Sequence, residues 1–94
     1  MSKLTCVLYT AEWCEPCKAF KKKYWPKLKA EFPGVDFPMV DIDQDFSDRT
    51  ITSIPTIRIY KGKRQLRTFR DVVGELDAIK DLLLQKAFDD TKSL

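Results

Sequence analysis

Three cysteines and no histidine bound the chemistry open to this chain. Without an imidazole there is no Ser-His-Asp or Cys-His nucleophile and no zinc site of the mixed Cys-His kind. Cys14 and Cys17 stand in the run Trp13-Cys14-Glu15-Pro16-Cys17-Lys18. On one helical turn that spacing brings the two sulfurs within bonding reach, so a disulfide can open and close with little backbone movement. A thiol at the mouth of a helix meets unpaired backbone N–H groups and the positive end of the helix dipole, and both favour the thiolate. Cys14 falls at that point. Cys17, one turn deeper and in line with Phe20 and Tyr24, is expected to be more buried and less reactive. The predicted chemistry is thiol-disulfide exchange: the Cys14 thiolate attacks a substrate disulfide, a mixed disulfide forms, and Cys17 displaces the substrate. These steps call for no metal and no organic cofactor beyond the redox-active Cys14-Cys17 disulfide. A metal cluster would need a fuller ligand set than three cysteines supply. Cys6, inside an apolar run, reads as a small core residue.

Those thiols need a strand and a helix to place them. Residues 4–9 form a compact apolar run, short enough for a buried strand. Helical spacing follows: Cys17, Phe20, Tyr24, Leu28 and Phe32 draw one stripe along a helix over residues 15–31, with Lys18, Lys22 and Lys29 on another face. Pro16 is tolerated in a first turn, Pro26 predicts a bend, and Pro33-Gly34 ends the helix. Residues 35–42 alternate as a second strand, and Pro38 within them demands a sheet edge. A short helical or irregular piece is expected over residues 45–50. Residues 56–60 read as a strand with Ile57 and Ile59 on one side. The Lys61-Gly62-Lys63 turn then leads to a charged edge strand over 65–70, making the pair antiparallel. Val72, Leu76, Ile79, Leu83 and Ala87 mark the inner stripe of a last helix, with the tail expected to fray from Asp89. Strands interleaved with helices imply an α/β domain: a four-stranded mixed sheet with helices on both faces.

The 94 residues suffice for one domain, taken as residues 1–94, and 44% hydrophobic with 33% charged residues is a globular composition. No secretory signal and no membrane-length apolar run is present, so the expected compartment is the cytoplasm, where thiols are held reduced. A net charge of +3 announces no nucleic-acid partner. Basic residues gather at Lys18, Lys21, Lys22, Lys23, Lys27 and Lys29. They gather again at Lys61, Lys63, Arg64, Arg67 and Arg70. Solvation is the ordinary explanation; attraction of acidic partners or of glutathione carboxylates is the sharper one. Asp41, Asp43, Asp45 and Asp48 lack the glycine and closing glutamate of a calcium loop and read as loop residues.

Residues 11–18, together with Ser53-Ile54-Pro55-Thr56, closely resemble thioredoxins, and the order of elements is similar over roughly residues 4–88. The resemblance implies a thioredoxin-like fold with a cis peptide between Ile54 and Pro55 beside the two cysteines. It also implies a substrate segment pairing with the backbone of Ile54, a groove flanked by Trp13, and a site that includes Glu15 and Pro16. The implied activity is reduction of disulfide-containing proteins by a monomer that a thioredoxin reductase or glutathione recycles, with no nucleic-acid or membrane partner. A glutaredoxin acting with glutathione, and a binding module whose dithiol is a redox switch, are the other readings. Several positions depart from the family pattern. Thioredoxins begin with a further strand and helix, so a trimmed, glutaredoxin-sized core is expected. Leu8 stands where a buried aspartate is usual, Met39 where a lysine often pairs with it, and Glu15 where glycine is common. Asp71 or Val72 falls near the place of a groove glycine.

Overall fold

A computed structural model of the chain describes residues 3–45 and 49–92, residues 88–92 for their backbone alone. The elements are β1 (Leu4–Thr10), α1 (Glu15–Lys23), α2 (Trp25–Glu31), β2 (Met39–Asp41), β3 (Thr56–Lys61), β4 (Arg64–Phe69) and α3 (Leu76–Lys92). The four strands lie in the order β2-β1-β3-β4. β2 runs parallel to β1, with Leu8 opposite Met39, while β3 is antiparallel to both β1 and β4. The two central strands are the two most buried ones, and the charged β4 and the proline-bearing segment occupy the edges, where unpaired backbone groups can meet water.

Pro38 shapes the β2 edge in detail. It has no N–H to give, yet its carbonyl accepts from the Leu8 N–H at 3.0 Å. Before it, Asp36 accepts from the Cys6 N–H at 2.8 Å and donates its own N–H to Leu4 at 3.0 Å, an isolated bridge to β1. The strand expected over residues 35–42 is therefore regular only from Met39 to Asp41. Pro26 does more than bend its helix. Its ring collides with the carbonyl one turn earlier, and the chain breaks at Tyr24 (φ −113°), so the single helix expected over 15–31 is two. Tyr24 still bridges the break: its N–H donates to Phe20 at 2.9 Å and its carbonyl accepts from Leu28 at 3.0 Å.

Side-chain parity along β1 decides what covers the sheet. Leu4, Cys6 and Leu8 share one buried cluster with Ile57 and Ile59 and with Phe20, Trp25, Leu28, Ile79 and Leu83. Helices α1, α2 and α3 thus all pack on the same face. Val7 and Tyr9 point the other way, to a smaller cluster with Ile51, Val40, Ile42 and Tyr60. Among the described residues that second face is covered by the segment after β2, through Ile42, Ile51 and Ile54. The reason is that the stripes of α1 and α3 both match the even-numbered aliphatic residues of β1, leaving the odd face to a shorter segment. Half of the helical or irregular piece expected over 45–50, residues 46–48, lies outside the described residues, and residues 45, 49 and 50 are irregular or turn. At the other end α3 starts at Leu76, later than the stripe suggested, and Val72 joins the core from the preceding turn. Its backbone is helical through Lys92; residues 93–94 lie outside the described residues. No described helix is long and apolar enough to cross a membrane.

Candidate redox site

β1 delivers the chain to Ala11, which is fully buried, and a turn closes as the Cys14 N–H donates to the Ala11 carbonyl at 3.2 Å. Cys14 then caps α1 from an extended conformation (φ −88°, ψ 104°). Its Sγ accepts the Cys17 N–H at 3.2 Å, and its carbonyl accepts the Lys18 N–H at 3.1 Å. A helix start leaves several N–H groups without intrahelical partners, and here one of them is turned on the sulfur. Pro16 sits in the first turn, where its missing N–H costs nothing. Cys14 and Cys17 are joined by a disulfide, with their Cα atoms 5.2 Å apart. Cys17 is fully buried and Cys14 is 4% exposed. The pair packs against Ala11, Ile42 and Ile54. When the bridge opens, the same Cys17 N–H remains in place to stabilise a thiolate on Cys14.

The other expected site residues gather around this pair. Ile54 is half-buried against the cysteines, and the Ile54–Pro55 peptide is cis. The Thr56 hydroxyl, buried at the start of β3, donates to the Ser53 carbonyl at 2.7 Å and ties the corner together. Trp13 is 64% exposed. Its indole does not hang free, since Nε1–H donates to Asp43 Oδ2 at 2.7 Å. Asp43 is held in turn, its N–H donating to Asp41 Oδ1 at 2.9 Å. Glu15 is exposed and paired with Lys18 at 3.4 Å. Between Trp13 and the segment 51–54 lies a cleft of about 400 Å³, lined by Trp13, Ile42, Ile51, Thr52, Ser53 and Ile54. An aromatic wall, three isoleucines and two hydroxyls suit an extended peptide with an apolar side chain next to its disulfide.

Asp43 escaped the sequence reading, which took it for a loop residue. The signal available was an aspartate alternating with Asp41 directly after a strand, the pattern of a turn that presents a carboxylate. Cys6 is fully buried, and burial pushes its thiol from 9.0 up to about 12, far from the reactive range. Leu8 is also fully buried, within the apolar cluster under the helices, so that position offers no ionisable group. Asp71 is engaged in the turn before α3. Its Oδ1 accepts from the Gly74 N–H at 3.2 Å, and its own N–H donates to Glu75 Oε1 at 3.3 Å.

A four-stranded mixed sheet whose first strand feeds a Cys-capped helix, with Ile54 of the cis Ile54–Pro55 peptide packed against the thiols, is the thioredoxin-like α/β fold. The thioredoxin family model matches residues 1–85, and the chain belongs to the thioredoxin family. It is 38% identical over 72 residues to a thioredoxin of Geodia cydonium, a match covering 71% of this chain and 65% of that protein. It is 43% identical over 60 residues to putative thioredoxin-4 of Dictyostelium discoideum, covering 60% of this chain and 57% of that one. Both matches span less than two thirds of the relative's length. Among solved structures, thioredoxin from Trypanosoma brucei brucei superposes with a TM-score of 0.75 at 30% identity, covering 87% of this chain and 76% of that chain. Thioredoxin from Fasciola hepatica gives 0.74 at 27% identity, covering 85% and 81%.

Proposed function

We propose that this chain, a single domain over residues 1–94, is a protein-disulfide reductase. The Cys14 thiolate attacks one sulfur of a substrate disulfide and expels the other as a thiolate, which takes a proton from solvent. A mixed disulfide between Cys14 and the substrate results. Cys17, once deprotonated, attacks the Cys14 sulfur, releases the second substrate thiolate and leaves the Cys14-Cys17 disulfide. Two electrons have passed from the dithiol to the substrate, and no metal or organic cofactor enters the exchange. A thioredoxin reductase or glutathione returns the electrons, which makes the chain a link in electron transport. Its substrates are disulfide-containing proteins that lay an extended segment along Ile54 and beside Trp13, with Glu15 and Pro16 at the rim. The working form is a monomer in the cytoplasm, with no nucleic-acid or membrane partner.

One observation carries this reading: Cys14 and Cys17 form a disulfide at the N-terminus of α1, directly beside an apolar cleft. Reduction of insulin disulfides by dithiothreitol, with and without the protein, is the test. Catalytic acceleration is expected for the wild type and none for Cys14→Ser, while Cys17→Ser should accumulate a mixed disulfide at residue 14. A binding module would behave differently, giving no acceleration and keeping its partner in Cys14→Ser.

A further inference from the structure

Arg58 lies in the central strand β3 and is 4% exposed, the one charged residue among the buried described ones. Its neighbours Ile57 and Ile59 face the helices, so its side chain goes to the opposite face, where the segment after β2 packs. There Nε donates to the Thr68 hydroxyl at 2.9 Å, on the residue opposite it in β4. Nη1 donates to the Thr50 hydroxyl, also at 2.9 Å. The guanidinium carbon stands 5.9 Å from the centre of the Tyr9 ring, a cation–π contact on β1. One planar group therefore ties β1, β3 and β4 to the residue just ahead of Ile51, and its rigid fork fixes direction as well as distance. Ile51 to Ile54 then form the cleft wall that faces Trp13.

The geometry points to Arg58 as a positioning residue for substrate recognition: by clamping Thr50 to the sheet it holds the Ile51–Ile54 wall at the spacing a protein substrate requires. This rests on the reductase reading above. It has a consequence for specificity, because a small disulfide meets only Cys14 and is indifferent to the far wall, whereas a polypeptide must fit between that wall and Trp13. The contribution belongs to binding and leaves the exchange at sulfur untouched.

Three variants test it. Arg58→Met keeps a long apolar stem and removes the bonds to Thr68 and Thr50; Arg58→Lys keeps the charge without the fork; Thr50→Val removes the hydroxyl that accepts from Arg58 and serves if an Arg58 variant fails to fold. Steady-state kinetics with insulin, the rate with a small aromatic disulfide, and hydrogen exchange over residues 50–54 are measured for each. Loss of this part-buried, charge-assisted hydrogen bond should raise KM for insulin about fivefold to tenfold, with kcat within about twofold. The small-disulfide rate should be unchanged, exchange over 50–54 should quicken, and lysine should not rescue. Equal losses on insulin and on the small disulfide, or an unchanged KM in Thr50→Val, would overturn the positioning role. Wild-type protein that reduces neither disulfide would instead overturn the reductase reading, and this inference with it.

Discussion

Replacing Asp43 by alanine removes the acceptor that holds the Trp13 indole N–H at 2.7 Å. A hydrogen bond to a charged group contributes about 1.5–3 kcal/mol net when sheltered. Both partners here are exposed, Trp13 by 64%, so screening brings the figure down to about 1 kcal/mol. That energy corresponds to a factor of about five in the ratio of docked to undocked indole. Asp43→Asn keeps an acceptor oxygen without the charge and should show a smaller effect. The motion can be read from time-resolved anisotropy of Trp13 in a Trp25→Phe background. That background is mild, because Trp25 is a core aromatic whose buried Nε1 has no hydrogen-bond partner among the described residues. Asp43→Ala should show a larger fast component and lose about threefold to fivefold in kcat/KM for a protein disulfide. Stability to chemical denaturation should fall by no more than about 1 kcal/mol, the energy of the bond itself. Anisotropy identical to that of the parent protein would refute the claim that this carboxylate holds the ring.

Burial holds the Cys6 thiol at about 12 against 9.0, so the unfolded chain loses that proton first as pH rises. Its contribution to stability is therefore complete below about pH 9 and drains away toward about pH 12, amounting to about 1 kcal/mol already lost near pH 10. In Cys6→Ala the drop in urea-measured stability between about pH 8 and about pH 10 should shrink by that amount, and an unaltered drop would contradict the linkage. A methyl group at Gly74 would meet Oδ2 and Cγ of the Asp71 side chain, which must swing away and give up its 3.2 Å bond to the Gly74 N–H. Gly74→Ala should cost about 1 kcal/mol in the wild type and far less in an Asp71→Ala background, as a double-mutant cycle by chemical denaturation would show.

Much of the site is written in short-range chemistry. Cys14 and Cys17 are on one helical turn, Pro16 is compatible with that turn, and the run from Leu4 to the motif is too short to be anything but a strand feeding a helix. These are local constraints, so residues close in sequence announce them. Pro38 is equally legible, because a residue without an N–H can only sit at an edge or a bulge. Pro26 was readable as a distortion; the break itself falls at Tyr24, since the clash acts on the turn before the proline.

Tertiary structure decided the rest. The compact apolar run of β1 says that the sheet has two buried sides, but it does not say which one three helices share and which is left to the segment after β2. That choice is a matter of how stripes on α1 and α3 match residues far away in the chain. Asp43 reaches Trp13 across thirty positions. Arg58 joins Thr50, Thr68 and Tyr9 only because three strands bring them to one place. In sequence each is an unremarkable polar residue in a loop or a lone arginine between isoleucines. Local spacing determined where the sulfur chemistry lies, and long-range packing determined the cleft beside it, because a groove is made of residues that the chain alone does not hold together.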